Sequence, residues 1–280
     1  MVIIDSGQAE TAAAAGIAHR DAICGNFFPE QFHCSGVAVR NTATADGRVI
    51  HARVLDYMRD LHLQKYAVLQ VFIPDGGIPW LSLGYAGFLG TVTAMNEKGL
   101  AIGEMGGGGE GAWDGMPMTF LMREVAERAA TVGEALDIMR KTPRTCEYYF
   151  VVSDARRDMA GVYATPEKFE ILQPGSQDAR LPPIPPDTVM VSGGGRARAL
   201  SDRLKQAHGT ITPEKMIAMI KRPVAMRSNL HNAVFMPETL DMWYADAGRR
   251  TPACDEPYTQ VNLKQLLQTY AARKTAAPTP

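Results

Sequence analysis

The chain has 280 residues, and its 29 lysines and arginines against 30 aspartates and glutamates leave a formal net charge of −1. A chain of this length forms one large domain or two small ones with a full hydrophobic core. The near-zero charge argues against a nucleic-acid partner, and no apolar run approaches the roughly 18 residues that span a bilayer. We therefore expect neither a nucleic-acid partner nor a membrane partner.

The cysteines argue against a disulfide framework and against a metal site. The four cysteines are scattered, without a C-x-x-C pair or a cysteine–histidine cluster at zinc spacing. We therefore expect no structural zinc and no cofactor. The N-terminus lacks the basic region and long apolar segment of a signal peptide, so the expected setting is reducing and cytoplasmic.

Residues 1–33 are predicted to form a separate N-terminal piece. Residues 11–21 have mixed helical character, and Gly25-Asn26 and Pro29 break that pattern. The piece is either an ordinary N-terminal helix or a pro-segment whose removal leaves Cys34 as a new N-terminus.

The stretch 33–56 carries the main functional hypothesis. Cys34 opens an alternating apolar strand, Asp46-Gly47 predicts a two-residue hairpin turn, and a second strand leads into Arg53 and Asp56. If the strands pair, Arg53 and Asp56 return beside Cys34, where a cation and a positioned acceptor favour the nucleophilic thiolate. The alternative is that Cys34 is a small buried hydrophobe and that Arg53 and Asp56 form an ordinary ion pair.

The remaining chain alternates between blocks of strands and pairs of helices. Predicted strands cover residues 66–73, 80–84, 91–95, 100–104, 147–153, 160–164, 169–172, 188–192, 228–236 and 240–245. Predicted helices cover 116–141, split by a capping box at Thr131 and Glu134, then 196–208, 213–221 and 261–271, followed by a disordered tail over 274–280. This order predicts a single α+β domain over 34–273, with two antiparallel sheets stacked between two helical layers.

A four-glycine run, Gly106 to Gly109, could be read as a phosphate-binding loop. It lacks the Gly-Lys-Ser/Thr continuation of a P-loop and no helix start follows it at once. We therefore expect a flexible loop, lying over the hairpin end that holds Cys34.

Four motifs, in this order along the chain, resemble one enzyme family. They are Cys34-Ser35 with Ala43-Thr44-Ala45-Asp46-Gly47, Arg53-Val54-Leu55-Asp56, Met95-Asn96-Glu97-Lys98-Gly99-Leu100, and Ser228-Asn229-Leu230-His231-Asn232-Ala233-Val234-Phe235. Together they resemble the cysteine-type N-terminal-nucleophile (Ntn) hydrolases, and within these the acyl-coenzyme A:6-aminopenicillanic acid acyltransferase family. Bile salt hydrolases and penicillin V acylases are more distant. The resemblance runs from Cys34 to about residue 247.

The resemblance implies a four-layer αββα fold and autoproteolysis between His33 and Cys34. The freed α-amino group, with a pKa of about 7.7–8.0, then acts as general base for the thiol of the same residue. No catalytic histidine is needed, and His51 and His231 are expected to be structural. The implied activity is that of a cysteine-dependent amidohydrolase or N-acyltransferase, which acts on a small-molecule N-acyl amide through a thioester acyl-enzyme.

The resemblance also implies roles for individual residues. Cys34 is the implied nucleophile, Asp56 holds its amine, and Arg53 lies against the thiol and the polar end of the substrate. An oxyanion hole is needed as well. Ser192 stands where relatives carry an oxyanion asparagine, and Gly106 aligns with a second such position.

Two further residues complete the implied site. Arg227 matches a site arginine of the acyltransferase family, and Asn229 is implied as a substrate-binding residue. Acyl and amine specificity are expected to depend on the loops 57–65, 106–115 and 174–186. The sequence is also compatible with a homo-oligomer.

Two other functions stay open beside the Ntn enzyme. One is an unprocessed cysteine amidase, in which Arg53 and Asp56 activate an internal thiol. The other is a catalytically inactive binding member of the fold, supported by Ser192 at the position of the expected asparagine.

Overall fold

Two stacked β-sheets form the centre of the molecule. The computed structural model describes residues 2–4, 13, 16, 18, 34–108 and 111–276. Most of the predicted N-terminal piece, including its boundary at His33, therefore lies outside the described residues, as does the end of the predicted tail from 277 to 280.

The first sheet has eight strands among the described residues. In spatial order they are β1 (Val2–Ile4), β4 (Ala67–Phe72), β5 (Trp80–Tyr85), β6 (Thr93–Asn96), β7 (Ala101–Gly106), β8 (Tyr148–Ser153), β9 (Met159–Ala164) and β10 (Phe169–Leu172). Neighbouring strands are antiparallel except β1, which runs parallel to β4.

Within the described ranges the second sheet has six strands, all antiparallel to their neighbours. In spatial order they are β11 (Thr188–Val191), β2 (Ser35–Val39), β3 (Ile50–Asp56), β12 (Asn229–Met236), β13 (Asp241–Asp246) and β14 (Thr259–Asn262). Strand β2 contacts β7 and β8 of the first sheet, and β3 contacts β7, so this part of the second sheet stacks directly on the first.

Helices cover the outer face of each sheet. Helices α1 (Met118–Arg128) and α2 (Val132–Lys141) pack on the first sheet, α3 (Gly194–Ala207) and α4 (Pro213–Met219) pack on the second, and α5 (Leu263–Ala276) follows β14. The predicted α+β fold with a four-layer αββα arrangement is therefore confirmed.

Alternation along β3 assigns its side chains to two environments. Ala52 and Val54 belong to the core beneath α3 and α4, whereas Leu55 belongs to the core between the sheets. Because successive side chains of a strand point to opposite faces, Arg53 lies on the side of Leu55 and Asp56 on the side of Val54. The two charged residues of the motif therefore face different layers.

The connection between β2 and β3 is wider than the predicted two-residue turn. It spans residues 40–49 and contains a 3₁₀ turn, and the Asn41 amide donates to the Gly47 carbonyl at 3.1 Å. The Thr42 amide and hydroxyl both donate to Asp187 Oδ2, at 3.2 and 2.6 Å. These tertiary bonds stabilise a wider loop, so the prediction of a tight Asp46-Gly47 turn is wrong although the two strands pair as predicted.

The two ends of the chain hold the strands that the sequence did not predict. Strand β14 is short and polar (Thr-Gln-Val-Asn) and pairs at the edge of the second sheet with β13, so it lacks the apolar alternation that marks a strand. The predicted C-terminal helix begins at Leu263 and continues to Ala276, into the segment expected to be a disordered tail.

Candidate active site

Cys34 lies immediately before β2, opposite the charged end of β3. Ser35 pairs with Val54 and Gly36 with Arg53, so the register places Cys34 level with Leu55, between Arg53 and Asp56. Cys34 is only 3% exposed, yet it forms part of the wall of a cavity. The predicted hairpin pairing therefore brings Cys34 level with the charged end of β3 and to a cavity.

The cavity beside Cys34 has a volume of about 200 Å³. The first sheet contributes one wall through β7, β8 and β9, and the segment from the end of β11 into α3 contributes the other. Its lining residues are Cys34, Met105, Gly106, Tyr149, Tyr163, Arg180, Val191, Ser192, Gly193 and Arg196. The cavity thus leaves room for a small molecule next to the cysteine.

The tyrosines form an aromatic surface on the first-sheet side of the cavity. The Tyr149 and Tyr163 rings meet edge to face, with centroids 4.4 Å apart, and the Arg180 guanidinium lies 3.7 Å from the Tyr163 centroid. Burial raises the pKa of Tyr163 to about 12, so its phenol is neutral at neutral pH. Arg180 is itself paired with Asp178 and Glu170, at 2.6 and 2.9 Å.

A larger cavity lies on the opposite face of the first sheet. It has a volume of about 390 Å³ and includes Trp113, Met118 and Tyr148 in its lining. Tyr148 and Tyr149 are consecutive on β8 and point to opposite faces, so this cavity is separated from Cys34 by the sheet. We therefore assign the candidate site to the smaller cavity.

Asp56 is buried and held by two donors. Its Oδ2 accepts from Arg196 Nη1 at 2.5 Å, and its Oδ1 accepts from the Met226 amide at 2.9 Å. Burial raises the pKa of Asp56 above its ordinary value of 3.8, while the Met226 amide and the charges of Arg196 and Arg53 oppose that rise.

Arg196 is the site residue that sequence reasoning missed. It lies in the first turn of α3 and lines the cavity, and its Nη2 donates to the carbonyl oxygen of Cys34 at 3.1 Å. The sequence feature that could have indicated Arg196 is its position directly after the glycine run that follows the predicted 188–192 strand. Only the pairing of β11 with β2 brings that run to Cys34.

Arg53 occupies a different environment from Asp56. Its side chain is fully buried between the sheets, and its Nη2 lies 3.3 Å from Glu104 Oε2 on β7. Arg53 therefore pairs with Glu104 and Asp56 with Arg196, which contradicts the alternative that Arg53 and Asp56 simply pair with each other.

Ser192 and Gly106 lie where the sequence placed them, on the wall of the cavity that contains Cys34. The Ser192 and Ser35 hydroxyl oxygens are 2.7 Å apart. The structure thus brings the residues at both expected oxyanion positions to the candidate nucleophile.

Arg227 and Asn229 do not contribute to the cavity lining. Arg227 is exposed, and its carbonyl oxygen accepts from Arg59 at 3.2 Å. Asn229 is buried, and its side-chain amide donates to the Leu55 carbonyl and its oxygen accepts from the Cys254 amide, at 2.9 and 2.8 Å. These bonds fix the end of β3 that carries Asp56, so Asn229 stabilises the backbone next to the site and does not line the cavity.

The buried histidines are structural, as the sequence analysis expects. His51 Nδ1 lies 2.9 Å from the Ser153 hydroxyl, and His231 lies between the hydroxyls of Tyr85 and Thr93, at 3.1 and 2.8 Å. Burial lowers the pKa of His51 to about 3 and also lowers the pKa of His231. Both rings are therefore neutral.

The part of the chain that the structure describes offers no group of three or more histidine, cysteine, aspartate or glutamate side chains that could hold a metal ion. Among the same residues, no helix combines the length and the apolar character that crossing a membrane requires.

Comparison with known proteins identifies relatives of this chain. The model of the family described as acyl-coenzyme A:6-aminopenicillanic acid acyl-transferase matches residues 43–176. The resemblance to this family is confirmed. The matched segment includes Arg53, Asp56, Gly106 and the Asn-Glu-Lys-Gly motif, and it begins after Cys34.

Two curated relatives match much of the chain. Protein dcd1B of Dictyostelium discoideum is 24% identical over 241 residues, which cover 79% of this chain and 47% of that protein. The N-acylethanolamine-hydrolyzing acid amidase of Caenorhabditis elegans is 24% identical over 213 residues, covering 70% of this chain and 59% of that protein. The chain thus spans about half the length of these relatives.

Solved Ntn-hydrolase structures share the fold. The Caenorhabditis elegans N-acylethanolamine-hydrolyzing acid amidase ortholog has a TM-score of 0.57 at 17% identity, covering 73% of this chain and 93% of that one. Penicillin V acylase from Agrobacterium tumefaciens has a TM-score of 0.55 at 15% identity, covering 83% and 87%. A conjugated bile acid hydrolase variant from Clostridium perfringens has a TM-score of 0.54 at 13% identity, covering 83% and 93%.

Proposed function

We propose that this chain is an amide-bond hydrolase or acyltransferase whose nucleophile is Cys34. One observation carries the proposal: Cys34 lies on the wall of a cavity, and Arg196 links its backbone to the buried Asp56 carboxylate. The names of the relatives support amide chemistry, since they describe an acyltransferase family, an amidase and an acylase.

Activation of the nucleophile begins with self-cleavage at the His33–Cys34 bond. The Cys34 sulfur attacks the carbonyl carbon of residue 33, and the C–N bond breaks as the Cys34 nitrogen takes up a proton. Water then hydrolyses the thioester, leaving a carboxylate on residue 33 and a free α-amino group on Cys34. With a pKa of about 7.7–8.0, that amine is partly neutral near pH 7 and accepts the proton of the thiol.

Acyl transfer uses the same two groups of Cys34. The thiolate attacks the substrate carbonyl carbon and a C–S bond forms. When the tetrahedral intermediate collapses, the C–N bond breaks and the leaving amine takes the proton from the Cys34 ammonium. Water, or an acceptor amine in the transferase reaction, then attacks the thioester and releases the acyl group. Asp56 balances the positive charge on the Cys34 amine during this cycle.

The oxyanion of the tetrahedral intermediate needs hydrogen-bond donors beside Cys34. The Ser192 hydroxyl is the side-chain donor on the cavity wall, with backbone amides of the adjacent glycine segment beside it. One well-placed donor contributes about 3–4 kcal/mol to the stability of the transition state. The apolar part of the acyl group packs against Met105, Val191 and the aromatic surface of Tyr149 and Tyr163.

The test combines intact mass with turnover. Purified protein is expected to yield a fragment that begins at Cys34, and to hydrolyse members of a panel of N-acyl glycines with acyl chains of increasing length and penicillin V. Cys34→Ala is expected to stay uncut and inactive, whereas Cys146→Ala, which changes a cysteine outside the cavity, is cut and active.

Each adverse outcome has a distinct meaning. Turnover by Cys34→Ala at the wild-type rate overturns the proposal. Full turnover by an uncut protein supports the unprocessed cysteine amidase instead. No turnover across the panel, together with a Cys34 alkylation midpoint near the value of about 8.5 for an unperturbed thiol, supports a binding member of the fold.

A further inference from the structure

We infer that Arg196 is a positioning residue that holds the Cys34 backbone and the Asp56 carboxylate in one arrangement once the bond before Cys34 is cut. The inference rests on the proposed function and adds a residue to it.

The guanidinium of Arg196 joins three segments of the chain. Its Nη2 donates to the Cys34 carbonyl at 3.1 Å, and its Nη1 donates to Asp56 Oδ2 at 2.5 Å and to the Val224 carbonyl at 3.4 Å. The side chain is 13% exposed. A planar guanidinium with fixed donor directions restrains the relative positions of its acceptors, so the cavity wall, the nucleophile residue and the carboxylate are coupled through one group.

Cleavage gives this restraint a function. Cys34 lies outside the β2–β3 ladder, whose first pair is Ser35 with Val54, and after the cut it becomes the first residue of its chain. Terminal residues are poorly ordered unless another element holds them. The bond from Arg196 supplies one such restraint from α3, an element distant in the chain from Cys34.

The charge of Arg196 also lowers the pKa of Asp56. The charged or titratable groups that act on Asp56 are Arg196 from α3, Arg53 from its own strand and the Cys254 thiol, and the Met226 amide is a further donor. Burial raises the pKa of Asp56, and Arg196 is the cation bonded to the carboxylate. Removing that cation raises the pKa further, so Asp56 becomes protonated at a higher pH and no longer balances the Cys34 ammonium.

The other arginine of the cavity does not share this role. Arg180 pairs with Asp178 and Glu170 and lies over Tyr163, whereas the shortest bonds of Arg196 go to Cys34 and Asp56. Variants of the two arginines are therefore expected to differ: a variant of Arg196 changes the reactivity of Cys34.

The experiment compares Arg196→Gln and Arg196→Lys with Arg198→Gln, an exposed arginine of the same helix that serves as the matched control. Two pH profiles are measured: kcat/KM for the N-acyl glycine that wild type hydrolyses, and the rate at which iodoacetamide alkylates Cys34, followed on the Cys34 peptide by mass spectrometry. In Arg196→Gln the acidic limb of kcat/KM is expected to move to higher pH by about one unit or more. The Cys34 alkylation midpoint is expected to rise as well, because a nearby cation favours the thiolate.

Arg196→Lys separates charge from geometry. It is expected to keep the wild-type acidic limb, because the cation remains, while kcat falls, because a single ammonium cannot reproduce both bonds. Wild-type pH profiles and kcat in Arg196→Gln overturn the inference, whatever the stability of the variant, and if Arg196→Gln does not fold, an unchanged kcat in Arg196→Lys does the same. The alkylation profile requires no substrate, so it tests Arg196 even where the panel shows no turnover and the proposed function fails.

Discussion

Arg53 and Glu104 form an ion pair between the two sheets, with 3.3 Å between Nη2 and Oε2 and both side chains fully buried. The pair joins β3, which ends at Asp56, to β7, which ends at Gly106 on the cavity wall. Strand β3 therefore carries the buried charge of Arg53 and ends at Asp56. Strand β7 carries the buried charge of Glu104 and ends at Gly106. A change at the pair is therefore expected to alter stability and also the position of the β7 wall of the cavity relative to Asp56.

Loss of one partner of this pair is expected to be costly. Glu104→Gln removes the carboxylate that pairs with the buried Arg53 guanidinium, and breaking a buried pair in this way typically costs about 3–5 kcal/mol. Urea unfolding measures the change in free energy. The matched control is Glu124→Gln, which removes the carboxylate of an exposed helical pair with Arg128 and is expected to cost less than about 1 kcal/mol. Equal losses in the two variants would contradict the prediction.

Gly103 provides the space that Arg53 occupies. A Cβ at Gly103 would lie 2.5 Å from Cγ and 3.0 Å from Cβ of Arg53. Gly103→Ala is therefore expected to displace the arginine and to lower the free energy of unfolding by about 1–3 kcal/mol, as overpacking of a core does. Thermal unfolding checks this against Gly133→Ala in α2, where the added methyl has room. A melting temperature unchanged by Gly103→Ala contradicts the close packing.

Asp246 is expected to make stability depend on pH. Burial raises its pKa from 3.8 to about 7, so between about pH 4 and pH 7 the unfolded chain releases this proton while the folded chain keeps it. The stability that neutral Asp246 contributes is therefore present below pH 4 and is lost as the pH rises to 7.

Asp246→Asn removes that dependence. The variant is expected to be more stable than wild type at pH 8, by an amount on the order of a few kcal/mol, and the difference should shrink towards pH 4. Urea unfolding at several pH values measures it, with Asp202→Asn on the exposed side of α3 as the control. A stability difference that is the same at pH 4 and pH 8 would rule out this role for Asp246.

Variants of Ser192 and Ser35 distinguish two roles of the Ser192 hydroxyl, donation to the oxyanion and the hydrogen bond to Ser35. Their hydroxyls are hydrogen-bonded to each other at 2.7 Å, but only Ser192 lies on the cavity wall. Ser192→Ala is expected to lower kcat by about 10²-fold with little change in KM, whereas Ser35→Ala removes the same bond and leaves the donor in place. Steady-state kinetics of both variants decide the matter, since equal losses would assign the effect to the bond and not to the donor.

Local pattern was enough to predict most of the secondary structure. Runs of β-forming residues predicted strands such as β4 and β8, whose bounds match the prediction within a residue or two. The cap of α2 forms as predicted, with the Thr131 hydroxyl accepting from the Glu134 amide at 3.2 Å, although the Glu134 carboxylate accepts from the Ala130 amide instead of closing the box at Thr131. Such features depend on residues that are close in the chain, which is why their signals are visible in it.

The amino-acid sequence by itself determined the order of strands and helices, the pairing of the Cys34 strand with the Arg53–Asp56 strand and, through the family motifs, the stacked-sheet fold. Only the tertiary structure decided which groups the charged residues meet: Glu104 for Arg53, Arg196 for Asp56, and bonds behind the site for Asn229. These partners are distant in the chain, and strand alternation sends neighbouring side chains to different layers. Their identity therefore depends on how sheets and helices stack, which no local pattern contains.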